Sequence, residues 1–152
     1  KEVAMFEPKK ILVPTDFSEF SDKALESAVD VAKKENATIE LLHVISVIQT
    51  CSVDYCFDQQ TLDMLEKNSI NASMDQMKKE IDRVPGASSV QIETVIRKGT
   101  PYEEILNEQK EKKIDLIVIG SHGKTGLIHH LMGSVAERVM RGAKCPVLLA
   151  KI

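Results

Sequence analysis

Five short apolar runs, each parted from the next by a stretch with helical periodicity, restrict what this 152-residue chain can fold into. They are Lys10 to Thr15, Ile39 to Ile45, Val90 to Arg97, Asp115 to Gly120 and Pro146 to Ala150. Leu116-Ile117-Val118-Ile119 is apolar on consecutive residues, as a strand buried on both faces is. Val90 to Arg97 alternates for part of its length, as an edge or half-exposed strand does. Strands alternating with helices predict βαβαβαβαβ, an open parallel sheet covered by helices on both faces. Right-handed crossovers then leave few topologies. Residues 9–152 read as one α/β domain, and residues 1–8 as a flexible N-terminal extension.

Helix boundaries are written in local signals. Ser18 predicts the N-cap of a first helix whose inward face is Phe20, Ala24, Leu25, Ala28, Val31 and Ala32, with Asn36 as its stop. Leu62, Leu65, Ser69, Ala72, Met77, Ile81 and Val84 recur at helical spacing before Pro85-Gly86. Thr100-Pro101-Tyr102-Glu103 reads as a capping box with proline at the first helical position, and Ser134 with Glu137 as a second box. Gly142 reads as the residue just past the last helix. Residues 46–60 exceed the usual connection of about 2–6 residues and predict a lid or a partly ordered segment.

Composition excludes several classes. A net charge of −3 argues against a general nucleic-acid binder, which needs a basic face to release counterions. No apolar run approaches the roughly 18 residues that span a bilayer, and no secretion signal pattern opens the chain, so a cytoplasmic location is expected. Three cysteines are too few and too odd for a disulfide framework. Cys51 and Cys56 lack the converging ligands of a zinc site, though redox pairing between them is conceivable chemistry. His43 reads as a core-edge histidine, His129-His130 as loop residues, Cys145 as a small buried residue, and Met64, Met74 and Met77 as packing.

The chemistry-bearing stretch is Gly120-Ser121-His122-Gly123, followed nine residues later by Gly133-Ser134. A strand, a glycine-rich loop and a helix N-terminus in that order suit a phosphate: glycines admit backbone N–H groups to an anion, and the helix end adds partial positive charge. Gly123-Lys124-Thr125 mimics the end of a P-loop, but the motif's first glycine would fall on Val118 inside a strand. G-x-G-x-x-G is absent, so a dinucleotide fingerprint is excluded.

The spacing of Gly120, Gly123, Gly133 and Ser134, G-x2-G-x9-G-[ST], resembles that of the universal stress protein family. So do Ile11-Leu12-Val13-Pro14-Thr15-Asp16 with Ser18, the Gly99-x-Pro101 helix start, Asp115 to Gly120, and Cys145-Pro146-Val147-Leu148-Leu149. The resemblance covers about Lys9 to Ile152. It implies a Rossmann-like five-stranded sheet of order 3-2-1-4-5, often a homodimer, and in the branch with this motif binding of ATP, or AMP or ADP, with Mg²⁺. By that resemblance Gly120, Gly123, Gly133, Ser134 and Val135 would meet phosphates and ribose. Pro14, Thr15 and Asp16 would lie by ribose and adenine, and Val44 would lend backbone contacts to the base; Ile119 and His122 complete the expected cofactor-binding set.

The residues themselves leave some roles open. Asp16 can accept from a ribose hydroxyl or hold Mg²⁺ through water, or it can cap the following helix. Ser134 can donate to a phosphate or cap its own helix. His122 can face a phosphate or solvent, and Lys124 can serve as a mobile cation near the phosphates or as an ordinary exposed lysine. No catalytic base is identifiable. The expectation is a nucleotide-responsive stress-response module, dimeric through the apolar edge strand Val147-Leu148-Leu149, whose surface an unidentified protein partner reads. The rival is a slow ATPase or self-phosphorylating enzyme at the same site.

Overall fold

The computed structural model describes residues 5–46, 58–124 and 132–152. Among them are β1 (Lys10–Thr15), α1 (Glu19–Glu35), β2 (Thr38–Ile45), α2 (Gln59–Arg83), β3 (Ile92–Lys98), α3 (Pro101–Lys112), β4 (Leu116–Gly120), α4 (Ser134–Gly142) and β5 (Val147–Ala150), with a short 3₁₀ turn at Ala87–Ser89. All strand pairs are parallel, and the sheet runs β3-β2-β1-β4-β5. The expected order 3-2-1-4-5 is the observed one.

Alternate residues of each central strand feed two separate cores. Ile11, Val13, Ile39, Leu41, Leu116 and Val118 pack on α1 through Ala24, Leu25, Ala28, Val29 and Ala32, and on Met77 of α2. Leu12, Leu42, Ile117 and Ile119 pack on Ile105 of α3 and Ala136 and Val139 of α4. Burial on both faces is why the central strands read as unbroken apolar runs. The chain reverses direction of sheet growth between β1 and β4, and ligands of such sheets bind beyond the strand C-termini at that point.

The first helix keeps its local signals. Ser18 accepts the amide of Ser21, and Asn36 ends the helix at φ 52°. Its inward face differs slightly from expectation: Val29 is fully buried, whereas Phe20 and Val31 are half-buried. The second helix departs more. Its buried residues are Ser73, Met77 and Glu80, while Leu65, Ser69 and Ala72 are exposed, as are Met64 and Met74. Neither expected capping box forms. Thr100 makes no side-chain cap, and Glu103 instead accepts the Tyr102 hydroxyl at 2.9 Å. Gly133 is the N-cap of α4, Ser134 is its first residue, and Glu137 turns outward to Arg141 at 2.9 Å. Gly142 is the last helical residue, not a left-handed cap. An added Cβ there would stand 2.6 Å from Leu106, so the glycine allows α3 and α4 to approach.

Candidate functional site

The C-terminal ends of β1, β2 and β4 and the first turns of α3 and α4 enclose a cleft of about 430 Å³. Pro14, Thr15 and Asp16 line it from β1, Leu42, His43, Val44 and Ser46 from β2, and Ile119, Gly120, His122, Gly123 and Lys124 from β4 and its loop. Pro101 and Ile105 of α3 and Gly133, Ser134, Val135 and Ala136 close it. Every expected cofactor-binding residue (Pro14, Thr15, Asp16, Val44, Ile119, Gly120, His122, Gly123, Gly133, Ser134 and Val135) lines this one cleft. The lining combines apolar side chains with hydroxyl, imidazole, carboxylate and ammonium groups, the mixture that small-molecule sites use.

Asp16 ties the cleft's two lips together. Its Oδ1 accepts the amide of Ser18 at 3.1 Å, and its Oδ2 accepts that of Lys124 at 2.8 Å. Of the two roles left open, it is therefore not the cap of α1, which Ser18 supplies. The glycines have reasons within the protein as well. A Cβ at Gly123 would lie 2.6 Å from Asp16 Oδ2, and one at Gly120 would lie 2.8 Å from both Cβ and the carbonyl oxygen of Phe20. Gly133 donates its amide to the Ser121 carbonyl at 2.7 Å, which closes the base of the glycine loop.

The β1–α1 turn forms the polar wall. Phe17 sits at φ 63°, a left-handed conformation that is uncommon for a bulky side chain. Its amide donates to Thr15 Oγ1 at 3.0 Å, and its ring packs 4.4 Å from that of His43. His43 Nδ1 lies 2.9 Å from the Thr15 carbonyl; since a carbonyl only accepts, Nδ1 carries the proton of that bond. Lys124 Nζ stands 5.6 Å over the Phe17 ring, and His122 Nδ1 bonds Ser121 Oγ at 3.0 Å.

Two buried acids have opposite surroundings. Glu80 of α2 lies under the wall, bonded to the Thr15 hydroxyl at 2.7 Å, and burial lifts its pKa to about 7. Glu40 of β2 lies on the other face, where burial and then the neighbouring Glu108 carboxyl push it up to about 7. Among the described residues its Oε1 has no hydrogen-bond partner. Glu108 itself pairs with Arg97, which also holds Glu104 and Glu111. Cys145 is half-buried rather than enclosed, and burial raises its thiol.

Sequence reasoning missed His43, Lys124's stacking on Phe17, Glu80 and the floor residue Ile105 as parts of the site. An apolar-to-polar break at His43 inside β2 was the only local signal for the first; buried acids give none. Cys51, Tyr55, Cys56 and Phe57, most of the 46–60 segment, and His129-His130 lie outside the described residues. Among the described residues no group of three His, Cys, Asp or Glu side chains forms a metal cluster, and no helix is long and apolar enough to cross a membrane.

The sequence matches the Universal stress protein family over residues 7–151. The chain belongs to that family. Among universal stress proteins, MJ0531 of Methanocaldococcus jannaschii is 36% identical over 143 residues, covering 94% of this chain and 82% of its own. The solved structure of MJ0577 from the same organism superposes with a TM-score of 0.81 at 31% identity, over 97% of this chain and 98% of that one. A universal stress protein family member from Arabidopsis thaliana with AMP bound shares the fold at a TM-score of 0.61 and 22% identity, over 95% of this chain and 92% of its own.

Proposed function

We propose that this universal stress protein binds an adenine nucleotide, ATP or AMP or ADP, in the cleft and works as a nucleotide-responsive dimeric module. One observation carries the reading. Among the described residues, α3 and α4 both begin at the cleft with no side-chain cap, whereas α1 is capped by Ser18 and α2 by Asp58. The first-turn N–H groups of α4, with Gly133, Ser134 and Val135 on the cleft surface, are thus open to an anion. On this reading Gly120, Gly123, Gly133, Ser134 and Val135 run along phosphates and ribose, with Pro14, Thr15 and Asp16 beside ribose and base. Leu42, Ile105 and Ile119 supply an apolar floor. β1 ends opposite His43, so Val44 is paired on its β3 side only, which favours its backbone as the reader of the base edge.

Asp16 is the one carboxylate lining the cleft among the described residues. Each of its oxygens already accepts an amide, so Mg²⁺ would enter with the nucleotide's phosphates and meet Asp16 through water. The convergence of Asp16, His122 and Lys124 is what favours the competing reading, a slow ATPase or self-phosphorylating enzyme. Dimerisation would use β5, an edge strand on which Leu148 is 41% exposed. The cytoplasm remains the expected compartment.

The test is extraction of nucleotide from freshly purified protein, before and after incubation with Mg²⁺, with the sedimentation mass read on the same sample. Intact ATP at near-stoichiometric occupancy in a dimer is the expected result. ADP that accumulates in the wild type and not in Gly123→Val would favour the enzyme. Protein that is empty and fails to bind added ATP would overturn the nucleotide reading.

A further inference from the structure

Behind the polar wall lies an acid that none of these roles uses. Glu80 is fully buried, and its two carboxyl oxygens stand 3.0 and 2.7 Å from Thr15 Oγ1. That hydroxyl accepts the amide of Phe17 at 3.0 Å and lies 3.1 Å from Ser21 Oγ, which donates to the Ser18 carbonyl at 2.8 Å. One carboxyl group on α2 therefore anchors Thr15, the left-handed Phe17 and the start of α1. When ionised, Glu80 accepts the Thr15 proton. When neutral, it donates to Thr15 Oγ1, whose own proton turns to Ser21 Oγ. Every hydroxyl in the chain remains bonded in both states. What changes is a buried negative charge directly behind the cleft.

We propose that Glu80 is a positioning residue for the cleft wall and that its carboxyl group takes up a proton when an anionic nucleotide binds, coupling nucleotide affinity to pH. The coupling rests on the nucleotide reading above. Its physical source is the repulsion between phosphate charge and a carboxylate that burial keeps weakly screened. Burial raises Glu80 from 4.5 to about 7, so the proton is exchangeable near neutrality. The Thr15 hydroxyl opposes this shift by bonding the carboxylate, Asp22 of α1 pushes in the same direction as burial, and Arg83 of α2 and Ser21 oppose it. Among the described residues, His43 of β2, bonded to the Thr15 carbonyl, and Asp16, His122 and Lys124 at the cleft also face this wall. Linkage is reciprocal: nucleotide that favours neutral Glu80 must bind better to the protonated protein.

The experiment is titration calorimetry of the full chain with ATP from about pH 6 to about pH 8, in buffers of different ionisation heat, comparing wild type with Glu80→Gln. The amide mimics the neutral acid, and every other ionisable group of protein and ligand is common to both proteins. Wild-type affinity is expected to fall about threefold more than that of the variant across this range, with more protons taken up near neutrality. Equal pH slopes and equal proton uptake would overturn the coupling. Absence of ATP binding at every pH would remove the nucleotide reading and the coupling with it. The wall is then read on the free protein. A folded acid with a raised pKa contributes stability at low pH that is lost as pH rises from 4.5 through about 7. The wild-type melting temperature should therefore drop relative to Glu80→Gln across that window, and parallel curves would overturn the raised titration on which the coupling depends. If Glu80→Gln fails to fold, carboxyl-carbon NMR of the wild type with and without ATP decides: the Glu80 midpoint rises if the coupling holds and stays put if it does not.

Discussion

The two faces of the sheet are built to different rules. On the α1/α2 face the chain satisfies itself: Ser18 and Asp58 cap the helices, and Glu80 is bonded to Thr15. The first-turn amide and hydroxyl of Thr61 hold Asp58 below the usual carboxylate range. On the α3/α4 face, among the described residues, both helices open without a side-chain cap and Glu40 Oε1 lacks a partner. The missing caps lie at the cleft and Glu40 lies in the first half of its strand, so only the helix ends bear on ligand binding. A helix start that the chain leaves uncapped beside a cleft is a place where an outside anion can complete it.

That contrast can be broken at three points. Gly120→Val should cost about 3 kcal/mol of stability, because its side chain enters space already held by Phe20 of α1. Urea unfolding reads the loss; a variant as stable as wild type that merely lost nucleotide would move this glycine's purpose from packing to the ligand. Ser134→Asp should weaken ATP binding about tenfold, or about 1.4 kcal/mol, and leave the melting temperature equal or higher. An added carboxylate repels phosphate yet suits the positive end of α4; unchanged affinity would mean the α4 terminus is not the anion's seat. The smallest effect separates the faces directly. Ser18→Ala should cost about 1 kcal/mol and Thr100→Ala only a few tenths, while Asp58→Ala should lower the melting temperature more than Thr100→Ala does. Equal losses in thermal unfolding would erase the distinction.

What could be read in the chain beforehand follows interaction range. The span of β1 was legible from its apolar run, and both ends of α1 from Ser18 and Asn36, which act within a few residues. The glycine loop could be placed at the sheet's carboxyl edge, because it follows an apolar strand. The boxes at Thr100 and Ser134 misled because a motif names available partners, while Tyr102 and Arg141 compete for the same carboxylates. α2 misled because periodicity assigns apolar residues to the core. Leu65 faces outward there, and Glu80 goes inward to meet a hydroxyl.

By itself, then, the sequence determined the alternation of elements, the parallel sheet buried on both faces and the edge where the glycines lie, since each follows from local pattern. Only the tertiary structure decided that Gly123 must admit Asp16, that Gly120 must admit Phe20, and that an acid 65 residues beyond Thr15 stands behind the cleft wall. Those outcomes depend on which side chains meet across helices and strands. A residue's type and spacing carry its chemistry, but the neighbour that uses it is chosen by packing.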